Sequence, residues 1–266
     1  MRGNLLILVA LIVCAAFLAW NDTKYKGTVQ ENCTDSSKRE LVCGVSGRGL
    51  RMQFVRSRHQ AILLLGDAIH GAGAELDEAK DNWKTMRRQQ TIDCFFIVLY
   101  VALFVSAVSA PMRRSSHNGA RLLGWSVFIC ILAAGAADYA EDAAIWQTLN
   151  PQAEDTFHPH YYAMVKWTLF YLTLAISSLF LLLYPKLGDF GEAIKGSSKW
   201  LRKIAGLFYL LGSIIGCIGV IQVGFNNNAH LLPLAFGGVV LGTPFFLLSF
   251  IVDLARPLGL SRAKVG

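Results

Sequence analysis

Long apolar runs separated by charged loops constrain this chain more than any other feature. Six runs of 16 or more residues occupy positions 5–20, 94–110, 122–146, 167–184, 204–223 and 231–252. About 20 apolar residues in a helix cross the roughly 30 Å hydrocarbon layer of a bilayer. Charged residues make up only 16% of the chain and lie mostly between the runs. We therefore predict an all-α fold, a polytopic transmembrane helical bundle of about six spans.

The charges of the loops predict an orientation, because short cytoplasmic loops accumulate Lys and Arg. The loop after the second run contains three arginines and no acid, and residues 185–203 contain five basic and two acidic side chains. Residues 147–161 contain two acids and no Lys or Arg. This pattern predicts cytoplasmic N- and C-termini, an extracytoplasmic segment at 21–93, a five-span domain at 94–253 and a cytoplasmic tail at 254–266. The predicted location is the cell membrane, inner or plasma.

The first run, within residues 1–20, has two interpretations that the residues leave open. Arg2 followed by an apolar core and by Val13-Cys14-Ala15 fits a secretory signal with small residues at the cleavage position. Its end, Phe17-Leu18-Ala19-Trp20, fits the interfacial anchor of an uncleaved span. We favour the uncleaved span.

The segment at 21–93 contains two features of its own. Cys33 and Cys43 lie ten residues apart on the predicted oxidising side of the membrane, which favours a disulfide over two free thiols. Between 50 and 90, apolar residues recur every seven positions, a period typical of paired helices: Val55, Ile62, Ile69, Leu76 and Trp83. Gly71 and Gly73 divide this stretch, and we expect a helical hairpin rather than one helix of about 60 Å.

Ionisable residues within the apolar runs form the candidate functional site, since such residues are costly in a membrane. Asp138, Glu141 and Asp142 stand at i, i+3 and i+4, so they share one face of the third span. Counting helical rise from the cytoplasmic loops places Asp93 of the second span and Lys166 of the fourth near the same level. These five residues are our candidates for binding a ligand or a cation.

Two explanations of this polar layer compete. It lies about 27 Å from the cytoplasmic ends of the helices, close to the outer edge of the hydrocarbon, where charged residues are ordinary. Alternatively, the carboxylates lie below the interface, and then they need Lys166, shared protons or a bound metal to balance their charge. His158 and His160, in the loop above, are candidate metal ligands in that second case.

The last two runs contain small residues at three- and four-residue spacing: Gly212, Gly216, Gly219, Gly238 and Gly242. Such residues let helices approach closely, which predicts a packed hairpin of the two spans. A broken transport helix around Pro233 or Pro244 is the functional alternative.

Two short motifs resemble a pattern in uncharacterised bacterial multi-span membrane proteins. They are Asp93-Cys94-Phe95-Phe96-Ile97 with Tyr100, and the segment from Ala137 to Asp142, which reads Ala-Asp-Tyr-Ala-Glu-Asp. In the family the second motif reads Asp, two residues, then Glu-Asn, whereas here Asp142 replaces the Asn. The resemblance covers roughly residues 83–146 and implies no known activity.

The sequence therefore leaves three functional classes. The first is a membrane protein, more plausibly without enzymatic activity, that binds or conducts a small cation, a proton or a lipid-like ligand. The second is a structural or accessory subunit with a membrane-protein partner or a second copy of itself, and the third is a membrane-embedded metal-dependent hydrolase. The predicted environment is the lipid bilayer. The net charge of +7 is explained by the basic loops, so we expect no nucleic acid as a partner, and no cofactor is identified.

Overall fold

The chain folds into helices throughout its described part. The structure, a computed structural model, describes residues 2–26, 47–114, 118–152, 158–183 and 197–226, with some further positions between 231 and 245. The helices are α1 (Arg2–Asp22), α2 (Arg48–Met52), α3 (Arg58–Leu65), α4 (Gly73–Arg114), α5 (Asn118–Thr148), α6 (Pro159–Leu183) and α7 (Ser197–Asn226).

Four helices are long and apolar enough to cross a membrane. Their candidate spans are Gly73–Ser106, Arg121–Thr148, Pro159–Leu179 and Trp200–Phe225. These correspond to the second to fifth predicted spans. An all-helical fold with four helices that could span a membrane is therefore confirmed. In α1 the apolar stretch is the shorter Val9–Asp22. The last predicted span, 231–252, lies largely outside the described residues, and the total of six stays a prediction.

The long helices pack in an order that follows the chain, except that α1 lies on α4. Helix α4 contacts α5, α5 contacts α6, and α6 contacts α7. Gly135 brings α4 and α5 close together, since a Cβ atom there would lie 2.7 Å from Cγ2 of Val101. This arrangement places the faces of α4, α5 and α6 that carry ionisable residues against one another.

Residues 47–72, which we call the cap, lie across one end of this bundle. Met52, Val55 and Leu64 of the cap are buried together with Ile145 and Leu149 at the end of α5. Burial of these side chains in one cluster stabilises the cap on the bundle through the hydrophobic effect. The cap is therefore part of the packed structure and not an independent hairpin.

The turn between α3 and α4 begins earlier than the predicted break at Gly71 and Gly73. Helix α3 ends before Gly66, which has a φ of 91° that favours glycine. Asp67 Oδ1 then accepts hydrogen bonds from the backbone N–H groups of Ile69 and His70, at 2.9 and 2.8 Å. These N–H groups hold the pKa of Asp67 below its usual value. Of the two predicted glycines, only Gly73 has a positive φ, 57°.

Arginine side chains of the cap and of α4 bind the carbonyl ends of the long helices. Arg58 donates to the carbonyl of Thr148 at 3.2 Å, and Arg87 donates to that of Leu149 at 2.6 Å. Arg56 donates to Gly224 at the end of α7, at 3.1 Å. A cation at the C-terminus of a helix satisfies unpaired carbonyls and interacts favourably with the helix dipole.

The predicted glycine hairpin is correct at Gly212, Gly238 and Gly242, which lie against the other helical segment, and wrong at Gly216. A Cβ atom on Gly212 would lie 2.9 Å from the carbonyl oxygen of Ala235, so this glycine does allow the next helical segment to approach. Gly216 instead faces α6, where a Cβ atom would overlap the ring of Tyr171. Tyr171 is fully buried, and only a residue without a side chain leaves room for its ring.

The predicted disulfide between Cys33 and Cys43 lies outside the described residues. The four described cysteines, Cys14, Cys94, Cys130 and Cys217, carry free thiols.

Candidate functional site

The acidic residues of α5 face the inside of the bundle. Asp138, Glu141 and Asp142 have relative exposures of 5%, 0% and 2%. Their spacing places them on one helical face, and that face is covered by α4 on one side and by α6 on the other. The charges are thus enclosed by protein, while the depth of this layer in the bilayer stays a prediction.

Lys166 of α6 joins two of these acids. Its Nζ lies 2.8 Å from Oδ1 of Asp138 and 2.6 Å from Oε2 of Glu141. Lys166 is itself only 5% exposed, and its Nζ lies 5.0 Å from the ring centroid of Trp167. The lysine therefore bridges i and i+3 positions of α5 from the neighbouring helix, in a geometry that favours ion pairing.

Helix α4 contributes two hydrogen bonds to the same cluster. The Tyr100 hydroxyl donates to Oδ2 of Asp138 at 3.0 Å, and the Cys94 thiol donates to Oδ2 of Asp142 at 3.4 Å. Asp93 is partly buried and lies close enough to Asp138 and Lys166 to interact electrostatically. The structure thus brings all five candidate residues into one region between three helices, which we call the acidic cluster: Asp93, Asp138, Glu141, Asp142 and Lys166.

Tyr100 and Cys94 were not among the candidate residues, although the sequence carried a signal for both. Tyr100 stands seven residues after Asp93, about two helical turns, and so lies on the same face. Cys94 directly follows Asp93. A search of α4 for hydrogen-bond donors at these spacings would have included them.

The acidic cluster contains more negative groups than one lysine balances. Four carboxyl groups face a single ammonium group, so full ionisation would leave three uncompensated negative charges. Oε1 of Glu141 and Oδ1 of Asp142 are buried and have no hydrogen-bond partner among the described residues. An uncompensated buried charge costs several kcal/mol, a cost that bound protons or a bound cation would remove.

The cap closes the end of the bundle nearest the cluster. Trp167, the neighbour of Lys166, donates through Nε1 to Oε1 of Gln53 at 3.3 Å. Phe54 is buried in one cluster with Trp167 and Tyr171. The acidic cluster consequently has protein on its cap side as well as on its flanks.

The two candidate metal ligands do not join this cluster. His160 is buried at the start of α6, and its backbone N–H donates to the carbonyl of Val55 at 3.2 Å. Arg56 of the cap interacts electrostatically with the His160 side chain. No group of three His, Cys, Asp or Glu side chains within the described part of the chain could hold a metal ion. The structure therefore supplies no third ligand for His158 and His160 there.

Comparison of the chain with known protein families, with curated proteins and with solved structures found no match.

Proposed function

We propose that this chain is a multi-pass membrane protein that binds and conducts a proton or a small cation through the acidic cluster. The observation that carries the proposal is the buried excess of carboxyl groups over the single Lys166. Ionisable residues that face the interior of a membrane bundle are typical of ion pathways and proton relays.

The partners of the acids support exchange of a charged species. Tyr100 and Cys94 donate to one oxygen of Asp138 and of Asp142, while Oε1 of Glu141 and Oδ1 of Asp142 have no described partner. A purely structural network is stabilised when every buried polar atom is paired. The unpaired oxygens are therefore the atoms at which a proton or a cation binds in this proposal.

Flux measurements on reconstituted protein test the proposal. In liposomes that contain a pH-sensitive dye, we expect a membrane potential to drive proton flux through wild-type protein. Glu141→Gln should lower this flux by at least about tenfold, because it removes an ionisable group from the site without changing its size. Asp81→Asn is the matched control, since Asp81 pairs with Lys26 on the exposed surface, and its flux should equal that of the wild type.

The same bridge between helices favours a second candidate, a structural or accessory subunit. Lys166 joins α5 to α6 through two ion pairs and would stabilise the bundle without any flux. Wild-type protein that is folded and carries no proton or cation current would reject conduction and leave this role. Unchanged flux in Glu141→Gln would show that conduction does not depend on Glu141 of the acidic cluster.

We further propose that both termini face the cytoplasm, on the basis of the basic loops. In a background without native thiols, single cysteines at Ser115 and Ser197 should resist a membrane-impermeant thiol reagent added outside cells. A cysteine at Ala153 should react with it. Labelling of the Ser115 position from outside would show that the orientation is reversed.

A further inference from the structure

The geometry of Lys166 points to the identity of the exchanged species. We infer that the acidic cluster exchanges protons, and that Lys166 is a tethered cation that excludes metal cations from the position between Asp138 and Glu141. This inference rests on the proposed function, because it names the species that the same site binds.

The first step concerns the space between the two acids. The ammonium group of Lys166 lies 2.8 and 2.6 Å from one oxygen of Asp138 and one of Glu141. A cation held by both carboxylates would need the same position, within contact distance of both oxygens. The lysine side chain is buried and held by Trp167 on one side, so the position is already occupied by a charge that cannot diffuse away.

The second step concerns the remaining acids. The groups that face the cluster come from three helices: Asp93, Cys94 and Tyr100 from α4; Asp138, Glu141 and Asp142 from α5; and Lys166 from α6. Calcium and magnesium ions take six or more oxygen ligands. No set of ligands for a metal is present among the residues that the structure describes. A proton needs only one carboxyl oxygen, and Oε1 of Glu141 and Oδ1 of Asp142 are both buried without a described partner.

The inference makes Lys166 the residue that determines specificity. Removing its charge leaves Asp138 and Glu141 facing a position that an alkali cation can fill. A neutral residue at position 166 should therefore convert a proton site into one that also binds a metal cation.

Thermal unfolding in detergent, with sodium, lithium or potassium chloride compared with choline chloride at equal ionic strength, tests this. We expect the wild-type unfolding midpoint to be the same in all four salts. Lys166→Met should unfold about 3–6 °C higher in one of the alkali salts than in choline when that cation is at roughly ten times its Kd. Lys166→Arg keeps the charge and should show no such shift.

The outcomes separate the inference from the proposed function. A wild-type midpoint that rises in one alkali salt overturns the inference and favours conduction of that cation. A folded Lys166→Met variant without any salt preference overturns it too. If Lys166→Met does not fold, the unfolding midpoints of the wild type in the four salts test the inference. The double variant Lys166→Met/Asp138→Asn is then measured in the same salts in place of Lys166→Met. None of these unfolding midpoints tests the proposed function. The proposed function is rejected only if folded wild-type protein carries no proton or cation flux in liposomes.

Discussion

Lys166→Met is expected to lower the free energy of unfolding by about 3–5 kcal/mol, the cost of leaving a buried ion-pair partner without its counterion. Lys166 is 5% exposed and Glu141 is 0% exposed, so water cannot replace the lost ammonium group. Because the double variant Lys166→Met/Asp138→Asn removes one of the stranded charges, it should recover part of the loss. Denaturant titration in detergent micelles measures both.

The chain offers a matched control for this experiment. Lys26 and Asp81 approach to 2.6 Å, the same distance as Lys166 and Glu141, but both side chains are 57% exposed. Exposed pairs are screened by water and contribute little, so Lys26→Met should leave stability unchanged. If Lys166→Met matched the wild type as well, the acidic cluster would not be an electrostatically coupled site.

Gly216→Ala is expected to destabilise the protein by about 1–3 kcal/mol, the range for inserting a methyl group into a packed interior. The new Cβ atom would overlap the ring of Tyr171. That ring is fully buried and stacks on Trp167, with 6.0 Å between ring centroids, so it has little freedom to move. Denaturant titration in micelles should show the loss.

A double-mutant cycle identifies the contact as the cause. In a Tyr171→Leu background the cost of Gly216→Ala should fall, because the ring that meets the new methyl group is absent. Gly119→Ala is the control: no heavy atom lies within 4 Å of a Cβ atom at that position. Equal effects of Gly216→Ala with and without the Tyr171 ring would show that the two residues do not pack as described.

Hydropathy and helical spacing were sufficient to predict much of the membrane domain. The acids at 138, 141 and 142 share a face because the i, i+3, i+4 spacing requires it in any helix. Lys166 was predicted at the level of the acids by counting helical rise back from Pro185, in the loop that follows its span. Their burial was not predictable, since the sequence does not show which face of a span meets protein and which meets lipid.

The contacts of the cap were beyond sequence reasoning for a different reason. Arg56 reaches the carbonyl of Gly224 across 168 residues, and no local pattern signals a bond of that separation. The prediction that Gly216 packs against the last span was wrong for a related reason. Small residues indicate that a helix approaches closely, but not which neighbouring helix it is. The turn that starts at Gly66 was not predicted, because the seven-residue repeat of apolar residues continues beyond Leu65, where helix α3 ends.

The bonds of the cap to the end of α7 have a consequence for biosynthesis. Arg56 is made early, whereas its acceptors, the carbonyls of Val223 and Gly224, follow 167 and 168 residues later. At synthesis rates of about 5–20 residues per second, the cap waits roughly 8–34 s for them. During this interval Phe54 lacks Val220 and Val223, which are buried in the same cluster in the folded protein, so its burial is complete only after α7 has been made.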